Sequence, residues 1–275
     1  MDVTSGGAGL PACLLTDMDV TSRFVLDFAR RFGRAGGSPP RTILDFGCGA
    51  GRLVVEGRAA GLEIWGADVY YGGSTTRREA EAAGLLGTYI REIRDGRLPF
   101  PDATFDLAVN NQVLEHVEDL DRELAEIHRV LKPGGAALSI FPSRDVWREG
   151  HIGIPFAHWF PRGSRARFLY AWALRSLGFG YWKRQAPTGR QWAIDKLAWI
   201  DAYTRYRSRA GIFRAFDRYF RSEPMEADYI RYRLCERRWR APAARLLRLP
   251  PARAAAVALF RKLAFLVILS RKEDR

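Results

Sequence analysis

Residues Thr42 to Leu53 read TILDFGCGAGRL. Apolar and β-branched residues lead into Asp45, then Gly47, Gly49 and Gly51 follow at two-residue spacing. The pattern predicts a short buried strand that stops at a glycine turn, with Arg52 to Ala60 continuing as a helix. Glycine belongs in such a turn because positive φ and close approach of a ligand both exclude a Cβ. The N-terminus of the following helix leaves amide N–H groups unpaired, so the turn suits a carboxylate or phosphate.

A dinucleotide fingerprint, G-x-G-x-x-G, would need its third glycine at the position of Arg52. The register found is G-x-G-x-G with an acid two residues before it, which resembles motif I of the class I S-adenosylmethionine (SAM) methyltransferases. The resemblance implies that Asp45 and the backbone of Gly47, Cys48, Gly49 and Gly51 hold the aminoacyl end of SAM. Leu62 to Ala67 (LEIWGA) predicts a second strand ending in Asp68, and an acid there can accept hydrogen bonds from both ribose hydroxyls. The family uses that position in this way, although NAD enzymes carry a similar acid. Thr88 to Ile93 predicts a third strand. The following stretch, Arg94 to Asp102, resembles the family's "LPF" segment, where an acid accepts from the adenine amino group; Asp95 is the candidate.

Thr104 to Asn111 predicts a fourth strand, followed by Gln112-Val113-Leu114-Glu115-His116. Ligands of parallel α/β sheets sit outside the carboxyl ends of strands, so Asn110, Gln112 and His116 are expected beside the reacting methyl group. Enzymes that methylate nucleic-acid amines carry an Asn/Asp-Pro-Pro-aromatic motif here, whereas this chain has NNQV, which argues against that chemistry. Some relatives bind a divalent ion through E-x-x-E-H. Gln112 replaces the first acid, so no metal is expected. His128 to Phe141, HRVLKPGGAALSIF, is the second strong resemblance, and the matching segments together cover Ile43 to Pro142. The implied fold is α/β: a Rossmann-like seven-stranded, mainly parallel sheet flanked by helices, with a helical insertion after strand 5.

The rest of the chain is arranged around that core. Residues 1–40 predict a helix over Ser22 to Phe32, capped by Thr21 or Ser22 and stopped at Gly33, and then a Gly-Gly-Ser-Pro-Pro linker. Residues 41–142 form the SAM-binding core, with an amphipathic helix at Asp119 to Leu131 ended by Lys132-Pro133-Gly134-Gly135 and a fifth strand at Ala136 to Phe141. Residues 143–207 read as a substrate lid. Residues 208–275 complete the core with a helix at Ser208 to Phe220, strand 6 within Met225 to Arg233, a basic helical stretch at Arg237 to Lys262 broken at Pro250-Pro251, and strand 7 within Leu263 to Arg271. The lid opens on EGHIGIPFAHWFP, residues 149–161, whose His151 and His158 join His116 as candidates for taking a proton from an acceptor hydroxyl. The competing reading holds these histidines as hydrogen-bonded or packing residues.

Charge divides the chain. Residues 1–142 carry 15 Lys/Arg against 20 Asp/Glu, and residues 143–275 carry 29 against 11. The basic part also holds seven of the eight tryptophans. Either the basic faces are simply solvated, or they meet an acidic partner: a phosphorylated or lipid-linked substrate, an anionic membrane surface, or nucleic acid. Hydrophobic residues at 47% place the chain among folded globular proteins. Cys13, Cys48 and Cys235 are scattered and odd in number, which predicts a reducing cytoplasmic setting. The first residues lack a positive segment and a long apolar run, so no signal peptide is expected. Arg261 and Lys262 split the apolar C-terminal run into segments too short to span a bilayer, leaving peripheral contact with anionic lipid.

The chemistry expected is therefore SAM-dependent methyl transfer to a small or carrier-linked molecule, with an oxygen acceptor favoured. An RNA methyltransferase using the basic half and a non-catalytic SAM-binding protein are the alternatives.

Overall fold

The computed structural model describes residues 18–34, 41–71 and 74–273. The Gly36–Pro40 linker, Cys13 and the glycine pair Gly72-Gly73 lie outside them. β1 (Thr42–Phe46) is buried from Ile43 to Phe46, as a central parallel strand covered on both faces must be. It pairs in parallel with β2 (Glu63–Asp68) on one side and β4 (Phe105–Asn111) on the other, and β2 pairs in parallel with β3 (Ile90–Glu92). With β5 (Leu131–Phe141), β6 (Arg221–Pro224) and β7 (Leu266–Arg271) they make a seven-stranded sheet of order β3-β2-β1-β4-β5-β7-β6. Ser222 meets Ser270, and Met225 donates to Val267, so β6 and β7 run in opposite directions.

The described residues fall into two compact units. The first comprises the chain up to Asn111 with Ala125–Leu138 and the segment from Arg271; the second comprises Gln112–Leu124 and Ser139–Ser270. In the first, α1 (Val20–Arg34) starts at Asp19, whose Oδ1 accepts from the amides of Thr21 and Ser22 at 2.8 and 3.1 Å. Asp19 is thus the cap in place of Thr21 or Ser22, and the helix runs through Gly33. α2 (Arg52–Ala59) follows the glycine turn and α3 (Thr76–Ala82) follows β2. Asp106 accepts from the Thr42 amide at 2.9 Å and from Lys132 Nζ at 2.7 Å, binding the start of β1 to the start of β5. Arg129, on α4 (Leu120–Val130), donates to the carbonyls of Leu98 and Phe100. The "LPF" segment is therefore core: Leu98 and Phe100 are buried, and Phe100 meets Phe105 edge-on at 4.9 Å.

In the second unit, α5 (Arg165–Ser176) and α6 (Gly189–Tyr203) form the helical insertion. Ser164 and Thr188 cap them, accepting from the amides of Arg167 and Gln191. They pack around the fully buried Trp192, together with Ile152, Ile154, Ala171 and Leu197. Gly180 makes that packing possible: its φ is +90°, and a Cβ there would come within 2.7 Å of the Trp192 ring. α7 (Arg209–Phe216) is shorter than expected and leads to β6.

The expected sixth strand at Met225 to Arg233 is instead α8 (Glu226–Cys235), and β6 precedes it at Arg221–Pro224. A four-residue, mostly exposed edge strand leaves no alternating apolar pattern to read. The Pro250-Pro251 pair begins α10 (Pro250–Leu263) after α9 (Ala241–Leu246), because proline is tolerated in the first turn, where its missing N–H has no partner to lose.

Candidate functional site

The glycine turn between β1 and α2 is held from below and from the side. Ala67 O accepts from the amides of Gly47 and Cys48 at 2.7 and 3.2 Å. Asp68 Oδ2 accepts from the Gly49 amide, and its Oδ1 from the Tyr70 amide, both at 2.8 Å. Each oxygen keeps a lone pair for a further donor. Gly51 has φ +85°, and a Cβ there would come 2.4 Å from Ile90 Cδ1, so the turn closes on β3 only with glycine. Cys48 turns its sulfur onto Gly66, where a Cβ would sit 2.7 Å away, so only its backbone belongs to the turn. Burial raises its thiol well above the ordinary value.

Asp45, at the end of β1, is 6% exposed. Burial, then the nearby charge of Asp68, pushes its carboxyl up to about 7. A desolvated acid beside a second acid is a site that gains from a cation, and the α-ammonium group of SAM is one. The cradle and its donor set therefore fit the aminoacyl and ribose parts of SAM.

Asn110 is fully buried on β4. Gln112 is exposed with φ +58° and donates its amide to Ile140 O at 2.7 Å; such a conformation in a non-glycine residue is strained. Asp95 lies in an exposed two-residue turn with Gly96, both at positive φ, between the bridged residues Arg94 and Arg97. The Asp-Gly pair is a hairpin-turn signal, and the acid in register with Asp68 is Glu92. Tyr70 carried no sequence signal: its amide binds Asp68, and its hydroxyl donates to Gly49 O at 3.1 Å.

In the second unit, a polar cluster gathers residues far apart in sequence. Glu149, buried, accepts from the Ile152 amide at 2.6 Å and from Tyr206 Oη at 2.5 Å, and its Oε1 lies 2.8 Å from His151 Nδ1. Burial opposes charge on both Glu149 and His151, yet their mutual hydrogen bond and opposite charges win. The acid is held below its usual range and the imidazole above. His116 packs 5.0 Å from His151, ring centre to ring centre, with Trp199 against both. His116 Nδ1 lies 2.7 Å from Tyr203 O; a carbonyl only accepts, so Nδ1 carries the proton and Nε2 the lone pair. Burial, then the charge of His151, lowers its basicity. Glu115 completes the group, its carboxyl pushed up to about 7 by burial.

Arg207 fixes the loop that carries Glu115 and His116, donating to the carbonyls of Leu114, Val117 and Glu118. His158 has other partners. Its Nε2 binds Arg144 O at 3.1 Å and its ring packs 4.8 Å from Tyr206, so it backs the cluster as a buried, less basic imidazole. Beside it lies a cavity of about 480 Å³ lined by Arg144, Arg162, Arg167, Arg205 and Arg207, with Glu118 and Asp201. The sequence flagged all three histidines. It held no sign of Glu149, Tyr206 or Arg207 as partners, since most meet residues distant along the chain, and it showed Glu115 only within the incomplete E-x-x-E-H pattern.

Among the described residues no helix is long and apolar enough to cross a membrane. Residues 44–139 match the family model of a methyltransferase domain. The chain is 34% identical over 188 residues to a malonyl-[acyl-carrier protein] O-methyltransferase of Pseudescherichia vulneris, covering 65% of this chain and 67% of that protein. It is 35% identical over 127 residues to a demethylmenaquinone methyltransferase of Thermus thermophilus, covering 45% of this chain and 56% of that one. An uncharacterized methyltransferase of Mycobacterium avium is 30% identical over 197 residues, covering 67% and 74%. The chain thus spans from about half to about three quarters of these relatives' length. A solved SAM-dependent methyltransferase structure from Mesorhizobium loti aligns over 90% of this chain and 96% of its own, at 19% identity and a TM-score of 0.49. With a sheet of this strand order, a glycine cradle that suits SAM and these relatives, the chain belongs to the class I SAM-dependent methyltransferases.

Proposed function

We propose that the protein methylates a hydroxyl oxygen of a small or carrier-linked, anionic molecule. Bound SAM supplies an electrophilic methyl group on a positively charged sulfur. In this reading Asp45 pairs with the ammonium group, and the Gly47-Cys48-Gly49-Ala50-Gly51 backbone accommodates the amino-acid tail. Asp68 takes the ribose hydroxyls, and Glu92 rather than Asp95 is the acid assigned toward the base. Asn110 and Gln112 are assigned to the methyl end.

The observation that carries the oxygen assignment is the cluster around His151. A hydroxyl is a poor nucleophile until its proton is taken up or its acidity raised, whereas a carboxylate needs no such help. Glu149 and Tyr206 orient His151 through Nδ1, and Tyr203 orients His116 through Nδ1, so each ring offers its other nitrogen. His158 is assigned a positioning role behind Tyr206. The arginine-lined cavity supports an acceptor bearing phosphate or carboxylate, and the carrier-protein relative supports a tethered one. The same basic surface keeps peripheral contact with anionic lipid in view, with nucleic acid as the weaker partner.

The test is transfer of labelled methyl from SAM to a panel of phosphorylated, carboxylated and carrier-tethered hydroxy compounds, with amines and RNA as comparison. His151→Gln should lower turnover at least 100-fold and leave SAM affinity unchanged. Methylation of amines alone, or a fully active His151→Gln, would overturn the reading.

A further inference from the structure

We propose that Glu115, His116 and His151 form a binding site for one divalent first-row transition cation. One carboxylate oxygen of Glu115 and one ring nitrogen of each histidine lie within 4.8 Å of one another. Glu115 Oε1 and His116 Nε2 are 4.0 Å apart. Two atoms each bonded to one ion at 2.0–2.2 Å are separated by roughly 3 to 4.4 Å, so the three donors need only close slightly on an ion.

Each donor is also prepared in the way a ligand must be. Tyr203 O holds the proton of His116 on Nδ1, which directs the Nε2 lone pair away from the backbone. Glu149 and Tyr206 engage His151 Nδ1, leaving Nε2 as its donor atom and supplying the carboxylate behind imidazole that metal-bound histidines commonly have. The independent observation is Glu115. It is 1% exposed, and among the described residues neither of its carboxylate oxygens has a hydrogen-bond partner. A buried carboxylate left without donors is costly, and a cation removes that cost. His116 and His151 keep side-chain exposures of 18% and 22%, so the group is reachable from solvent.

Two imidazoles and one carboxylate select the Mn²⁺ to Zn²⁺ series over Mg²⁺, which prefers oxygen donors. Three protein ligands leave positions open for an oxygen of a bound molecule. The sequence expectation of no metal rested on Gln112 standing where an acid would complete E-x-x-E-H. His151, 35 residues further along the chain from His116, supplies the third donor instead. The purpose of the cation rests on the hydroxyl-acceptor reading: with the ion bound, the two Nε2 atoms coordinate it and no longer take the proton, and the ion would activate the hydroxyl in their place, since an oxygen bound to such an ion is far more acidic than a free one. The binding itself does not rest on that reading.

Chelator-stripped protein, without SAM or acceptor, is titrated with Co²⁺ and followed by visible absorption and calorimetry. One equivalent is expected, with d–d bands of nitrogen and oxygen ligation, displaced by Zn²⁺ and not by millimolar Mg²⁺. Glu115→Gln and His116→Gln should each weaken binding at least tenfold. Co²⁺ should raise the melting temperature of the parent protein and leave that of Glu115→Gln, checked for native circular dichroism, unmoved. No stoichiometric binding by the parent, affinity in both variants equal to the parent, or displacement by equimolar Mg²⁺ would each overturn the proposal. Activity on an acceptor panel is not read in this experiment, so a failed acceptor assignment and a failed metal site remain separate results.

Discussion

Replacing Asp45 with Asn should change stability and SAM binding in opposite directions. In the ligand-free protein the Asp45 carboxyl sits at about 7, against an ordinary value of 3.8, chiefly because it is buried and then because Asp68 is near. Between those two values the folded protein keeps a proton that the unfolded chain has lost, so stability falls as pH rises through that window and levels off above it. At 1.36 kcal/mol per pH unit the loss totals about 4 kcal/mol. Asn cannot ionise, so the variant should lack this slope. At pH 8 it should be more stable than the parent by about 2 kcal/mol, half of that loss, because the amide brings hydrogen-bonding needs of its own. For a chain of this size that corresponds to about 3–4 °C. At pH 5 the two should melt together. The SAM ammonium group, by contrast, loses a charged partner worth about 1.5–3 kcal/mol, so affinity should fall about 10- to 150-fold. The parent's own SAM affinity should rise with pH up to about 7, because binding requires Asp45 ionised. Thermal melts at pH 5 and 8 with calorimetric titration of SAM and S-adenosylhomocysteine measure all of this. An Asp45→Asn variant less stable than the parent at pH 8, or one with unaltered SAM affinity, would rule out a buried, destabilising Asp45 that pairs with the ammonium group.

Other substitutions separate neighbouring roles. Asp68→Ala should weaken SAM binding at least 100-fold by calorimetry, while Asp95→Ala, in its exposed turn, should leave it within twofold. Gly180→Ala should destabilise by about 2–4 kcal/mol in denaturant melts, because its Cβ would strike Trp192 from a left-handed backbone. Gly178→Ala, at φ +91° with nothing within 4 Å, should cost only the backbone strain of about 1–2 kcal/mol. Arg207→Gln should lower the melting temperature by several degrees and depress turnover with SAM affinity retained, since it frees the carbonyls that set the Glu115–His116 loop. Equal losses for the two glycine variants, or weakened SAM binding in Arg207→Gln, would contradict the packing described.

What the sequence determined by itself was local in origin. The strand, glycine turn and helix from Thr42 to Ala59 follow from residues in direct succession, and so do the acid ending β2, the amphipathic α4 and the strand at Ala136 to Phe141, although β5 also takes in Leu131 to Gly135, which read as a helix stop. Each element's periodicity or turn chemistry lies within a dozen residues, and conformational preference acts over that range. The short polar strand at Arg221–Pro224 carried no such pattern and was placed too far along the chain, and the segment around Asp95 gave no sign that this acid stands in a two-residue turn between the bridged Arg94 and Arg97. Only the tertiary structure decided which charges met. Glu149 came to face His151 and Tyr206, Arg207 reached back 93 residues to Leu114, and Glu115 was left buried beside two imidazoles. Electrostatic strength depends on distance through a low-dielectric interior, and that distance is set by packing, not by spacing along the chain.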